Sequence, residues 1–186
     1  MSQDHHICHW RCGSILTSGL RKLFHNPRRI IGAYFIPGIT AMDIGCGMGY
    51  FTLPMSEMAG KQGKVIAVDL QTEMLAGLRQ RAVQADCQNI ILHPCGSDSL
   101  HIEHWAKTVD FALLFMVLHE VPDPERLIKE LKDALAPGGR LLFAEPMFHV
   151  KGKEFQRSLT MIQQVGLSLI SSPRVAICRA ALLQKQ

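Results

Sequence analysis

No stretch of this chain is apolar for long enough to cross a bilayer. The longest unbroken run, Phe111 to Leu118, falls well short of the about 20 residues a spanning helix needs. The opening residues, Met1-Ser-Gln-Asp-His-His6, lack the basic and apolar regions of a secretory leader, so the expected location is cytoplasmic. In that compartment the six cysteines are expected as thiols and not as disulfides. Charge of one sign is also scarce: 20 basic against 16 acidic side chains leave a formal +4 and no basic tail. Aromatic residues make up only 6% and form no base-stacking surface, so nucleic acid is not an expected partner. Internal repeats and low-complexity linkers are missing too. A chain of 186 residues with 47% hydrophobic content is an ordinary globular protein with room for a substantial core.

What the chain does have is one organising stretch, Ile39-Thr-Ala-Met-Asp43-Ile-Gly45-Cys46-Gly47-Met-Gly49-Tyr50-Phe51. It follows a Pro37-Gly38 turn and reads as a short buried strand that breaks into a glycine loop and then a helix. Glycine lets the backbone turn sharply and lie against a ligand, because φ > 0 costs it little. The unpaired amides at the start of a helix favour a negative or electron-rich group. The spacing is G-x-G-x-G, and Tyr50 stands where a dinucleotide-binding loop needs its third, small residue. A nicotinamide cofactor is therefore not expected.

Strands and helices alternate along the remainder. Lys64 to Asp69 is a second buried strand, apolar until it ends in an acid. A carboxylate at that edge suits the paired hydroxyls of a ribose, and Asp69 is equally placed to cap the helix that starts near Gln71. That helix buries Met74, Leu75, Leu78 and Ala82. A third strand, Ile90 to His93, leads to the turn Cys95-Gly96-Ser97-Asp98, and a fourth runs from Val109 to Phe115. His119 and Glu120 lie just beyond it, at the edge where open α/β sheets bind ligands. Each is either a substrate contact or proton acceptor, or a surface residue. Asp123-Pro124 caps and starts a helix that turns Leu127, Ile128, Leu131 and Leu135 inward.

The segment Leu135-Ala-Pro137-Gly138-Gly139-Arg-Leu141 is a helix stop and tight turn before a fifth strand, Leu141 to Glu145. Glu145 is either a substrate partner or a cap for the helix that follows near Lys151, and His149 stands close by. A helix over Gly152 to Gly166 precedes two last strands, Leu167 to Ile170 and Val175 to Leu183, tightly joined and so antiparallel.

Asp43-Ile-Gly45-Cys46-Gly47-Met-Gly49 resembles the first motif of class I S-adenosylmethionine-dependent methyltransferases. The Leu-x-Pro-Gly-Gly-x-Leu turn is similar to the one that leads into that family's fifth strand. The likeness covers residues 30 to 186 and is to the small-molecule branch that includes quinone-biosynthesis and arsenite enzymes. It implies a Rossmann-like α/β three-layer sandwich whose seven-stranded, mostly parallel sheet has an antiparallel last strand. It implies S-adenosyl-L-methionine as cofactor and S-adenosyl-L-homocysteine as product. Asp43, Gly45, Cys46, Gly47, Gly49, Asp69, Leu70, Gly96, Ser97 and Phe115 would form the cofactor site. The family usually places an acid after the third strand to meet the adenine amino group. Here Ser97, a backbone carbonyl or Asp98 must serve instead.

By the same resemblance, His119, Glu120 and Glu145 are the candidate catalytic residues, and a small molecule is the acceptor. No membrane insertion is expected, and the protein is expected as a monomer or homodimer. Residues 1–35 would form a helical cap and residues 36–186 the cofactor domain. The cap segment reads as a helix carrying Leu16, Leu20, Leu23 and Phe24, then a second started by Asn26-Pro27 and running through Ile30, Ile31 and Tyr34. Ahead of it His5, His6, Cys8, His9 and Cys12 crowd together, a soft donor set with no second ligand pair elsewhere, so no metal site is assigned. Three other readings stay open, one of them a metal-binding module in which the N-terminal His and Cys residues are the point. The domain could bind the cofactor without catalysis, as a sensor or partner subunit, or the cysteines could serve thiol or arsenite methylation.

Overall fold

The computed structural model describes residues 25–186. The His5–Cys12 cluster and the helix expected from Ser14 onward lie outside the described residues. Asn26 accepts a hydrogen bond from the Arg29 amide and starts α1 (Pro27–Ile31), with proline in the first turn, where no amide partner is needed. A single 3-10 turn, Gly32–Tyr34, completes this segment.

Seven strands follow: β1 (Thr40–Ile44), β2 (Lys64–Asp69), β3 (Ile90–Pro94), β4 (Val109–Phe115), β5 (Leu135–Pro146), β6 (Leu167–Ser171) and β7 (Cys178–Lys185). They form one sheet in the order β3-β2-β1-β4-β5-β7-β6. Only β7 runs against its neighbours, as expected of the last strand. The alternation of side chains divides the core into two layers. Met42, Ile44, Val68, Leu114 and Phe143 face one side, under α4 (Pro124–Ala134) and α5 (Gly152–Gln164). Ala41, Val65, Phe111 and Leu142 face the other, with Met55 and Ala59 of α2 (Thr52–Ala59) and Ile31 of α1. On that second side Leu75 and Leu78 of α3 (Thr72–Gln84) pack with Cys46 and Ala67. Strands covered on both faces have no polar side to show, which is why β1, β2 and β4 read as continuous apolar runs. No helix among the described residues is long and apolar enough to cross a membrane.

Several boundaries differ from expectation, two of them for a clear local reason. β5 begins at Leu135, six residues early, because Val109 pairs with Leu135 before the register shifts and Phe111 pairs with Arg140. The Pro137-Gly138-Gly139 turn is absorbed into that irregularity. Gly138 has φ +77, and a Cβ on Gly139 would lie 2.8 Å from both the Ala136 and Val109 carbonyl oxygens. β7 begins at Cys178 and not at Val175, since Ile177 takes a left-handed φ of 55° and Val175 makes only an isolated bridge to Cys178. The helix before β6 stops at Gln164, two residues short. At the far end Lys185 Nζ donates to the carbonyls of Lys132 and Leu135, both at 2.7 Å, and so closes the C-terminus of α4.

Candidate functional site

The C-terminal ends of β1, β2, β3, β4 and β5 converge on one cleft of about 420 Å³. That lies within the usual range for small-molecule sites. The glycine loop forms its floor. Gly45 and Cys46 both donate to the Val68 carbonyl, at 2.9 and 3.1 Å, so the loop leaves β1 still tied to β2. Gly49 donates to the Cys46 carbonyl at 3.0 Å and closes a four-residue turn. Gly47 has φ +53 and Met48 is not left-handed, the pattern of a type II′ turn. The three glycines are needed for different reasons. A Cβ on Gly45 would lie 2.4 Å from Val117 Cγ2, and one on Gly49 would lie 2.3 Å from Leu78 Cδ1. At Gly47 nothing stands within 4 Å of that position, and the bare backbone faces the cleft.

Two carboxylates frame the loop. Asp43 is buried and accepts from Thr52 Oγ1 at 2.6 Å, which joins the end of β1 to the start of α2. Asp69 accepts the Gly47 amide on Oδ2 at 2.8 Å and the Gln71 amide on Oδ1 at 2.9 Å. Burial raises the Asp69 pKa, against the Gln71, Gly47 and Leu70 amides, which lower it. The helix-cap alternative for Asp69 is met only in part: α3 starts at Thr72 with Gln71 as its cap residue, and Asp69 takes the cap's amide. Each carboxylate oxygen has a second lone pair, so the group that braces the loop has acceptor capacity left for hydroxyls in the cleft.

Leu70 stands beside it at 37% exposure. Gly96, Ser97 and Asp98 line the neighbouring wall, in a loop held by the Cys95 amide on the Asp69 carbonyl and the Leu100 amide on Glu130 Oε2 at 2.6 Å. Cys46 and Cys95 line the cleft as thiols. Burial pushes Cys46 well up and Cys95 up to about 11, so neither offers a thiolate nucleophile at neutral pH.

The other end of the cleft is built from side chains. β4 ends with Met116 in a left-handed conformation, φ +60, its amide on the Ala144 carbonyl at 2.7 Å. A 3-10 turn, Leu118–Glu120, then presents His119 to Glu145 at the end of β5. His119 Nδ1 lies 2.5 Å from Glu145 Oε2, and the His119 amide donates to Oε1 at 3.3 Å. On its other side, His119 Nε2 is 3.9 Å from Glu120 Oε1. The Glu145 bond raises the His119 pKa, against an opposing effect of burial, and the Glu145 and Glu120 charges add to the rise. Glu145 is 2% exposed and does not cap α5, whose cap is Lys151 with Glu154 Oε2 taking the Lys151 amide at 2.7 Å.

A row of rings continues outward from His119. The His149 ring stacks on it at 6.0 Å and 14°, and Phe148 meets His149 at 4.9 Å. Phe115 closes the inner wall, 4.6 Å from Phe51 and 5.2 Å from the His25 ring.

All the sequence-predicted site residues line this cleft except Gly49 and Glu145, which stand behind it. Sequence reasoning missed Phe148, whose only signal was a bulky apolar residue just after a strand end, and Tyr50 as a wall residue, whose hydroxyl donates to the His25 carbonyl at 2.6 Å. Among the described residues no group of three or more His, Cys, Asp or Glu could hold a metal.

Comparisons with known proteins agree with this geometry. Residues 42–143 match the methyltransferase domain family. A demethylmenaquinone methyltransferase of Shouchella clausii is 32% identical over 108 residues, covering 58% of this chain and 45% of that protein. The chain spans a little under half the length of the curated relatives it matches. A crystal structure of an S-adenosylmethionine-dependent methyltransferase from Aquifex aeolicus superposes with a TM-score of 0.86 at 20% identity, over 97% of this chain and 100% of that one. Fibrillarin from Aeropyrum pernix, solved with natively bound S-adenosylmethionine, shares the fold with a TM-score of 0.63 at 17% identity, over 79% of this chain and 66% of that one.

Proposed function

The chain belongs to the class I S-adenosylmethionine-dependent methyltransferase family, and from that premise we propose that it methylates a small, flat, hydroxylated acceptor held beside His119. The observation that carries the proposal is the His119–Glu145 pair at 2.5 Å: His119 lines the same cleft as the glycine loop, and Glu145 backs it from behind the wall. The donor set fits the family's cofactor. Asp69 presents a braced carboxylate that would take two ribose hydroxyls, Gly47 offers bare backbone, and Ser97 and Asp98 line the neighbouring wall as polar groups that would serve adenine. When bound, the cofactor supplies a methyl group already activated on a sulfonium, so the protein need not form a covalent intermediate.

The chain's own residues then have three tasks. The cleft walls exclude water and hold the acceptor in line. His119 removes the acceptor proton through Nε2, the nitrogen turned away from Glu145. Glu145 holds Nδ1–H, which fixes the ring's tautomer and stabilises the imidazolium that forms. Glu145 thus acts through His119 as a positioning residue, and Glu120 flanks the base. Phe148 and His149 give the acceptor end an aromatic wall that suits a planar ring. The relatives named as demethylmenaquinone methyltransferases support an acceptor of that class. Residues 1–35 are proposed as the cap of this end, supported by the packing of His25 on Phe115. Incubation with methyl-labelled S-adenosylmethionine and a panel of hydroxylated aromatics, amines, thiols and arsenite tests the proposal. Label should pass to a hydroxylated aromatic. A protein that binds the cofactor and labels thiols, arsenite or nothing in the panel contradicts it.

A further inference from the structure

Three left-handed glycines in five residues shape the cofactor loop, and both ends of one of its peptide units are held. The Gly49 amide of the Met48–Gly49 peptide donates to the Cys46 carbonyl at 3.0 Å. The Met48 carbonyl of the same unit accepts from Arg81 Nη1 at 2.5 Å. Without that guanidinium, this peptide unit keeps a single backbone bond, and the next restraint along the chain is the Leu53 amide on the Gly49 carbonyl at 3.2 Å.

Arg81 does not line the cleft. It stands in the last turn of α3, half-buried, and the helix surface around it is shaped to the loop. Gly77, one helical turn earlier, leaves room for Met48: a Cβ there would lie 3.1 Å from Met48 Cγ. Leu78 packs against Gly49. Beyond the packing of Leu75 and Leu78 on Cys46, helix α3 therefore meets the Met48–Gly49 part of the loop at three points. Two are contacts of shape, and the third is a charge-assisted hydrogen bond, which is stronger and more directional than a neutral one.

We infer that Arg81 is a positioning residue for the cofactor, latching the Met48–Gly49 peptide so that the glycine loop stands in its binding conformation before the cofactor arrives. The inference rests on the methyltransferase reading of this cleft. A loop that spends only part of its time in the competent form binds more weakly by that fraction, while the chemistry at the far end of the cleft is unchanged.

The test compares wild type with R81M, which keeps an unbranched apolar side chain and loses the donors, and with R81K, which keeps a charge. Calorimetric titration of R81M should show Kd about tenfold higher for both S-adenosylmethionine and S-adenosylhomocysteine, the loss expected for a charged hydrogen bond. R81K should recover part of it. In steady state the KM for S-adenosylmethionine should rise, with kcat at saturation and the acceptor's KM unchanged. Hydrogen exchange at the Gly49 amide should quicken in ligand-free R81M. The exposed Arg79→Met, on the same helix, should behave as wild type in every assay. R81M affinity within twofold of wild type, or a fall in kcat with KM unchanged, overturns the latch. So does loss of the folded circular-dichroism spectrum in R81M and R81K alike, because the residue then holds the fold and not the loop. Absence of binding by the wild-type protein instead sinks the methyltransferase reading itself.

Discussion

The two ends of the cleft are built on opposite plans. At the proposed cofactor end, where β1, β2 and β3 finish, the contacts run through backbone: the Gly45, Cys46 and Gly47 amides meet Val68 and Asp69, and the side chains mostly brace the main chain. At the proposed acceptor end, beyond β4 and β5, the backbone delivers side chains that meet in sequence, Glu145 with His119, His119 with His149, and His149 with Phe148. A backbone-built site is set by conformation and suits a ligand that never changes. A side-chain-built site changes its specificity with one or two substitutions.

Removing the proposed base should have the largest effect. His119→Asn should lower kcat by about 100- to 1,000-fold, within the range of general acid–base catalysis, and leave the Kd for S-adenosylmethionine unchanged. Calorimetry and initial rates on the same preparation check both halves, and a parallel loss of cofactor binding would mean the two ends are not separable.

Glu145→Gln sharpens the comparison with a smaller effect. The bond from Nδ1 can persist to the amide oxygen, but the charge that raises the His119 pKa is gone. A base works when deprotonated, so activity rises with pH through the His119 pKa. In the wild type the acidic limb should lie above the ordinary histidine value of about 6.5, and in Glu145→Gln it should move down towards that value. The rate on the plateau should fall about tenfold, because the imidazolium formed in the reaction loses its neighbouring charge. A pH–rate profile of both proteins reads the sign directly.

How much of this was legible in the chain follows the same division. G-x-G-x-G and a strand-ending acid are local patterns, and both lie where the chain reads them, the glycine loop after β1 and Asp69 at the end of β2. His119 and Glu145 were each readable as strand-end residues, but their pairing was not. They are 26 positions apart, and only the parallel register of β4 and β5 brings the two ends together. The capping alternative for Glu145 could not be removed until Lys151 and Glu154 proved to close α5 between them. Arg81 was hidden more deeply. It reads as one more basic residue on a helix surface, and its partner is a carbonyl 33 positions away, which no residue pattern records. β5's early start was likewise invisible, since the proline and two glycines within it are ordinary signals for a turn.

The central claim is that this cleft is a cofactor site organised by Asp69, whose two oxygens hold the Gly47 and Gln71 amides. Its most direct test is calorimetric titration of wild type and Asp69→Ala with S-adenosylmethionine and S-adenosylhomocysteine. The account predicts saturable binding of both by the wild type and a loss of about 100-fold or more in Asp69→Ala, from the ribose contacts and the loop's brace together. Folded wild-type protein that binds neither, or Asp69→Ala protein that binds both with unchanged affinity, would contradict it.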